Sequence, residues 1–170
     1  MKKILLIVLG TVLLTGISFA KPNRALTIDP IDFLNSDRIN LKYEQMLQPK
    51  RSFTVELLYL NEDNNTNGFG IGGAYRWYSR AFIPVKTTGV EGLSYGTYMR
   101  MNWLRRKLND DSYDNQAGVD IGGEIAYKFV LGKHFVFEPM IRIGYGWGGP
   151  AFSNHEGIKP WPGINIGLAW

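Results

Sequence analysis

Lys42, Glu44, Glu56, Arg76, Arg100, Asp120, Glu124, Lys128, Glu138 and Arg142 carry most of the chemistry that this 170-residue sequence could offer. Each interrupts a run in which apolar residues alternate with small or polar ones. Carboxylates gathered in a cleft can exchange protons in general acid–base catalysis, provided that no fixed cation occupies them. In this sequence Lys42 and Glu44 stand two residues apart, and Glu124 with Lys128 and Glu138 with Arg142 stand four apart. Acids with basic neighbours at such spacing make ion pairs rather than free proton acceptors. The set is therefore expected to be a structural polar network, with no catalytic residues and no cofactor.

Other reactive residue types are sparse. His134 and His155 lie far apart without metal-ligand spacing and read as turn and loop residues. Asp110, Asp111 and Asp114 could gather a cation, but they lack the ordered spacing of a calcium loop and read as solvated. Arg105, Arg106 and Lys107 form a basic run that could meet phosphate groups or simply line a solvated rim. The absence of cysteine excludes disulfides, thiol chemistry and a lipoprotein anchor.

The elements that must position the ten charges are strands. From Phe135 to Trp147, the residues Phe135, Phe137, Pro139, Ile141, Ile143, Tyr145 and Trp147 fall on one side of an extended segment. Glu138, Met140, Arg142, Gly144 and Gly146 fall on the other. Aromatic residues end the apolar row and aliphatic ones fill its middle, as in a strand that crosses a bilayer. Turn-forming residues divide the chain into eight such segments, at 24–33, 38–47, 51–60, 68–78, 93–104, 117–131, 135–147 and 163–170. Pro30 makes the first the least regular. The expected fold is all-β, an eight-stranded antiparallel up-and-down transmembrane β-barrel. An even strand count is what single-chain bacterial barrels have.

A soluble lipocalin-like barrel is the rival, with the apolar rows turned inward. Eight strands enclose little space, and these rows of Phe, Tyr, Trp and Ile would overfill it. The small and charged rows fit inside instead. Three-residue turns at 132–134 and 48–50 then set Lys128 opposite Glu138, Glu124 opposite Arg142 and Lys42 opposite Glu56. A lumen so filled argues against an open pore.

Residues 1–20 form a separate unit. Lys2 and Lys3 precede the apolar run 4–14, and Ser18 and Ala20 supply the small residues of a cleavage site before Lys21. The expectation is a cleaved signal peptide followed by a barrel domain at 21–170. Lys2 and Lys3 account for two of the 19 basic residues, so without them the net charge of +4 falls to about +2. That balance gives no electrostatic case for nucleic acid. A secreted N-terminus places both chain ends in the periplasm, with short turns at 48–50 and 132–134. The connections 61–67, 109–115 and 148–162 become external loops, where a surface ligand would bind. The connection 79–92 is unexpectedly long for a periplasmic turn. Phe53, Trp77, Tyr95, Phe129, Phe135 and Trp170 then gather at one membrane interface, and Tyr59, Phe69, Trp103 and Trp147 at the other.

With its leader, eight alternating segments, inward charges and terminal aromatic, the mature chain resembles the small outer-membrane barrels of the OmpA and OmpX type. The segment INLKYEQML at 39–47 and the strand GIGGAYRWY at 70–78 carry the likeness. The resemblance implies a location in the outer membrane, contact with its lipids and lipopolysaccharide, and insertion by the barrel assembly machinery. That machinery would read the C-terminal strand with Ile164, Ile166, Leu168 and Trp170. A weaker resemblance links Ser153 and Asn154 to the His-x-Ser-Asn motif of lipid A deacylases, which are also eight-stranded barrels. Ala151 stands where that motif has histidine, and 163–170 holds no acid, so the activity is not carried over.

Overall fold

The computed structural model describes residues 22–31, 38–63, 66–79, 89–107, 112–132, 134–148 and 157–170. Eight strands run β1 Arg24–Ile28, β2 Ile39–Gln48, β3 Arg51–Asp63, β4 Thr66–Ser79, β5 Gly92–Lys107, β6 Tyr113–Leu131, β7 Phe135–Gly148 and β8 Gly157–Ala169. Each pairs antiparallel with its sequence neighbours, and β1 pairs with β8 to close a barrel. Among the described residues, no helix is long and apolar enough to cross a membrane, a criterion that does not bear on strands.

The predicted alternation sets the faces. Along β7, Val136, Glu138, Arg142, Gly144 and Gly146 are buried while Phe135, Ile141, Ile143, Tyr145 and Trp147 are exposed. Between β6 and β7, Leu131 pairs with Phe135, Phe129 with Phe137, and Glu124 with Arg142. Gly132 takes a φ of +64° in the three-residue turn, where a side chain would be strained. This ladder breaks between Ala126–Met140 and Phe129–Phe137, and Pro139 lies in the gap without an N–H to donate. Lys42 faces Glu56, but the turn beyond is tighter than expected. It contains only Pro49 and Lys50, and Leu47 is the extra residue of a β-bulge.

Several element boundaries need correction. The expected first strand, 24–33, stops at Ile28. The Asp29 Oδ1 accepts from the Ile31 N–H at 2.9 Å, and Pro30 opens a helical turn, so the chain leaves the sheet there. The expected loop at 61–67 is mostly strand, with Asn61 paired to Asn67 and Asp63 to Thr66. The expected loop at 109–115 ends earlier, because Tyr113 already pairs with Lys107. The expected loop at 148–162 gives way to β8 at Gly157. In the three loops, polar or proline-rich sequence conceals a ladder that is held by backbone hydrogen bonds.

The two ends of the barrel differ. At the end that carries the chain termini, Val90 enters an apolar cluster with Ala25, Val136 and Ala169, and its N–H donates to the Pro22 carbonyl. Val90 thus sets a hydrophobic stopper in the barrel mouth. Toward the far end, Leu58, Leu60 and Leu104 form a second buried cluster.

Candidate functional site: a charged lumen

All ten candidate residues point into the barrel. Nine are buried, and the Arg100 side chain is 17% exposed. They come from β2 to β7 on inward positions, so the strand repeat alone aims them at the axis. Eight join in one network at mid-lumen.

Glu44 is its most heavily engaged acid. Its Oε1 accepts from Ser52 Oγ at 2.5 Å and from the Tyr78 hydroxyl at 2.6 Å. Its Oε2 accepts from Arg76 Nη1 at 3.1 Å and from Lys128 Nζ. These four donors match the four lone-pair directions of a carboxylate. Glu138 is held by Arg76 at 3.1 Å, Lys128 at 2.8 Å, Lys42 at 3.4 Å and Asn165 Nδ2 at 2.9 Å.

The remaining links close a ring of alternating sign. Arg76 Nε donates to Glu124 Oε1 at 2.5 Å, and Arg142 Nε donates to Glu124 Oε2 at 2.8 Å. Arg142 grips Glu56 with both terminal nitrogens, one of them at 2.9 Å. Glu56 approaches Lys42 at 3.7 Å, and Lys42 leads back through Glu138 to Arg76. Sequence reasoning anticipates the three cross-strand pairs. It does not anticipate contacts across the barrel, such as Arg76 with Glu44 or Arg142 with Glu56, because these depend on which strands face one another.

Arg100 and Asp120 form a separate pair at 2.9 Å, to which Asn102 adds a donor at 3.0 Å. Nearby, the Tyr98 ring lies beneath the Arg142 guanidinium, 4.9 Å from its centroid. A Cβ on Gly144 would come within 2.3 Å of the Tyr98 hydroxyl, so glycine at that point makes room for the ring. The Tyr98 hydroxyl, Asn102 Oδ1 and Asn40 Oδ1 are buried and have no hydrogen bond among the described residues.

Some inward residues escape sequence reasoning. Trp161 shares a face with its partner Arg142, and Lys159 with Gly144, because cross-strand partners point the same way. Pro160 and Pro162 hide this part of β8. Asp29 is buried as well, with Oδ2 close to the position a Gly163 Cβ would take.

Among the described residues, the other candidates do not assemble into a centre. His134 Nδ1 lies 3.0 Å from the Ala169 carbonyl, in the turn. Asp114 belongs to β6 and accepts from Gln116, while Asp110, Asp111, Ser153, Asn154 and His155 lie outside the described residues. Among the described residues, no group of three or more His, Cys, Asp or Glu is placed to hold a metal ion. Every lumenal carboxylate in the network faces two or more cations, so the arrangement crosslinks strands. No protein-family model, no curated protein and no solved structure matches the chain.

Proposed function

We propose that this protein is an integral outer-membrane β-barrel of the small OmpA and OmpX type, with a plugged, salt-bridged lumen and a structural or surface-interaction role. The observation that carries the reading is the inversion of polarity between the two faces. The ten charged side chains named above line the interior together with Asp29 and Lys159, while Leu57, Phe69, Ile71, Ile125, Ile143 and Trp147 are among many large apolar residues exposed outside. Among the described strand side chains, outward charges are confined to Arg24 and Arg51 at the terminal end and Arg105 and Lys107 at the other. A water-soluble barrel would have the reverse distribution.

The dimensions support the same reading. Phe135 and Trp147 are twelve residues apart on β7, which at about 3.3 Å per residue and a tilt near 40–45° spans roughly 30 Å along the barrel axis. That distance matches the thickness of a bilayer's hydrocarbon core and supports the two rings as its border residues. Phe69 stacks on Trp103 at 5.1 Å near one border and Trp77 on Tyr95 at 6.1 Å near the other.

In this reading residues 1–20 direct export and are removed. Residues 164–170, with Ile164, Ile166, Leu168 and Trp170, present the closing strand to the assembly machinery. Lipids surround the apolar belt. The connections at the end opposite the termini face outward, where an extracellular ligand would meet them. Outer-membrane fractions should contain a band that migrates faster unheated than boiled, the behaviour of a barrel that resists detergent until heated. A soluble periplasmic product with one mobility would sink the proposal.

A further inference from the structure

Strand parity divides the basic run near the far end of β5. Arg105 and Lys107 follow Trp103 on the outer face, whereas Arg106 follows the buried Leu104 on the inner one. Their cross-strand partners differ accordingly. Arg106 stands opposite Asp114 on β6 and Thr66 on β4. Arg105 stands opposite Asn67 and Asn115, and Lys107 opposite Tyr113.

The outward pair is also organised. The Arg105 guanidinium lies over the Tyr113 ring, 3.8 Å from its centroid. Stacking on an aromatic ring occupies the flat face of a guanidinium and leaves its N–H edge available for a bidentate acceptor. Arg105, Lys107 and Tyr113 are all exposed on that face, and Arg106, exposed too at the rim, projects from the other. Immediately toward the barrel's middle on the same face lies the stacked pair of Phe69 and Trp103. Arg105 and Lys107 stand one and two outward steps beyond Trp103, each step about 7 Å along a tilted strand. Above an interfacial aromatic, that height is the headgroup layer.

We propose that Arg105 and Lys107, with Tyr113 as a stacking platform, form a binding site for the phosphate groups of an outer-leaflet glycolipid of the lipid A class. The site rests on the membrane reading and specifies which lipid that reading would place against this face. A planar donor and a point charge spaced along one strand suit a headgroup that carries two phosphates. The inward Arg106 has no part in it.

Protein extracted from outer membranes in mild detergent supplies the test, with bisphosphorylated lipid A, its monophosphorylated form and phosphatidylglycerol titrated separately and bound lipid counted by native mass spectrometry. The unmodified protein is expected to prefer the bisphosphorylated lipid. The double variant Arg105→Gln/Lys107→Gln should bind it about thirtyfold more weakly, roughly fivefold for each basic residue lost at a membrane surface. Arg106→Gln should bind as the unmodified protein does. Equal binding by the double variant, an equal loss in Arg106→Gln, or indifference among the three lipids would overturn the site. Heat-modifiable mobility is scored on the same samples. A folded barrel without the preference removes this site alone, whereas absence of a heat-modifiable membrane band removes the membrane reading and the site together.

Discussion

A buried carboxylate is tolerated only when donors replace the water it has lost, and Glu44 meets that condition with four of them. The consequence for mutagenesis is coupling. Arg142 alone removed leaves Glu56 and Glu124 each short of a cation, and Glu124 alone removed leaves an excess of positive charge around Arg76 and Arg142. Each single neutralisation, Arg142→Met or Glu124→Gln, should cost about 3–5 kcal/mol. The double variant restores the charge balance and should cost less than either single change. Urea unfolding of the four proteins in detergent micelles measures the cycle, and additive losses would show that the pair does not interact.

At this scale the sequence was legible wherever alternation was unbroken. Period two is enough to turn Lys42, Glu56, Glu124 and Arg142 inward, because a strand offers a side chain only two directions. Trp161 and Lys159 obey the same rule, but Pro160 and Pro162 beside them read as loop residues. Leu58, Leu60 and Leu104 are inward and apolar, and no polarity contrast marked them. The contacts of Arg76 across the lumen depend on the curvature of the closed sheet, which no local pattern encodes.

Among the elements, β1 and β8 are the informative pair. β1 has five residues and β8 has thirteen, and only the stretch of β8 from Ile166 to Ala169 pairs with β1. Trp170 exchanges both backbone hydrogen bonds with Arg24, each at 3.0 Å, while the Ala169 N–H donates to the His134 carbonyl. Even-numbered residues of β8 therefore turn their N–H groups toward β1 and odd-numbered ones toward β7. Pro160 and Pro162 are even. Their missing donors fall on the edge that β1 does not reach, where a free N–H would invite another strand. Changing both to Thr should restore two donors on that edge and raise the fraction of edge-paired dimers. Analytical ultracentrifugation in detergent would detect the shift, and an unchanged distribution would show that this edge is protected by something other than its prolines. The prolines that hid this part of β8 from the sequence pattern are thus the ones its structure uses.

Over the whole molecule, three layers fill the barrel: the Val90 cluster at one mouth, the charge network in the middle, and the Leu58, Leu60 and Leu104 cluster toward the other end. In the middle layer salt bridges join facing strands, which should leave water and ions no continuous path. Reconstituted into planar bilayers, the protein should give no stepwise current, and sustained conductance steps like those of a porin would contradict the plugged lumen. The number of strands and their faces were legible because each hairpin repeats the same two-residue rule. The stopper was not, since Val90 belongs to a connection whose composition resembles neither a strand nor a tight turn.

Seven of the eight ladders join strands that are consecutive in the chain, and each hairpin can form as soon as its two strands exist. The ladder between β1 and β8 is the exception, joining opposite ends of the chain through only four paired rungs. Bringing such distant segments together carries the largest loop-closure cost in the fold, while the ladder it gains is the shortest. Closure should therefore be the slow step in forming the barrel, and the same seam should be the first to part when it unfolds. The weakest seam of the barrel thus falls on a five-residue strand that contributes none of the ten lumenal charges identified from the sequence.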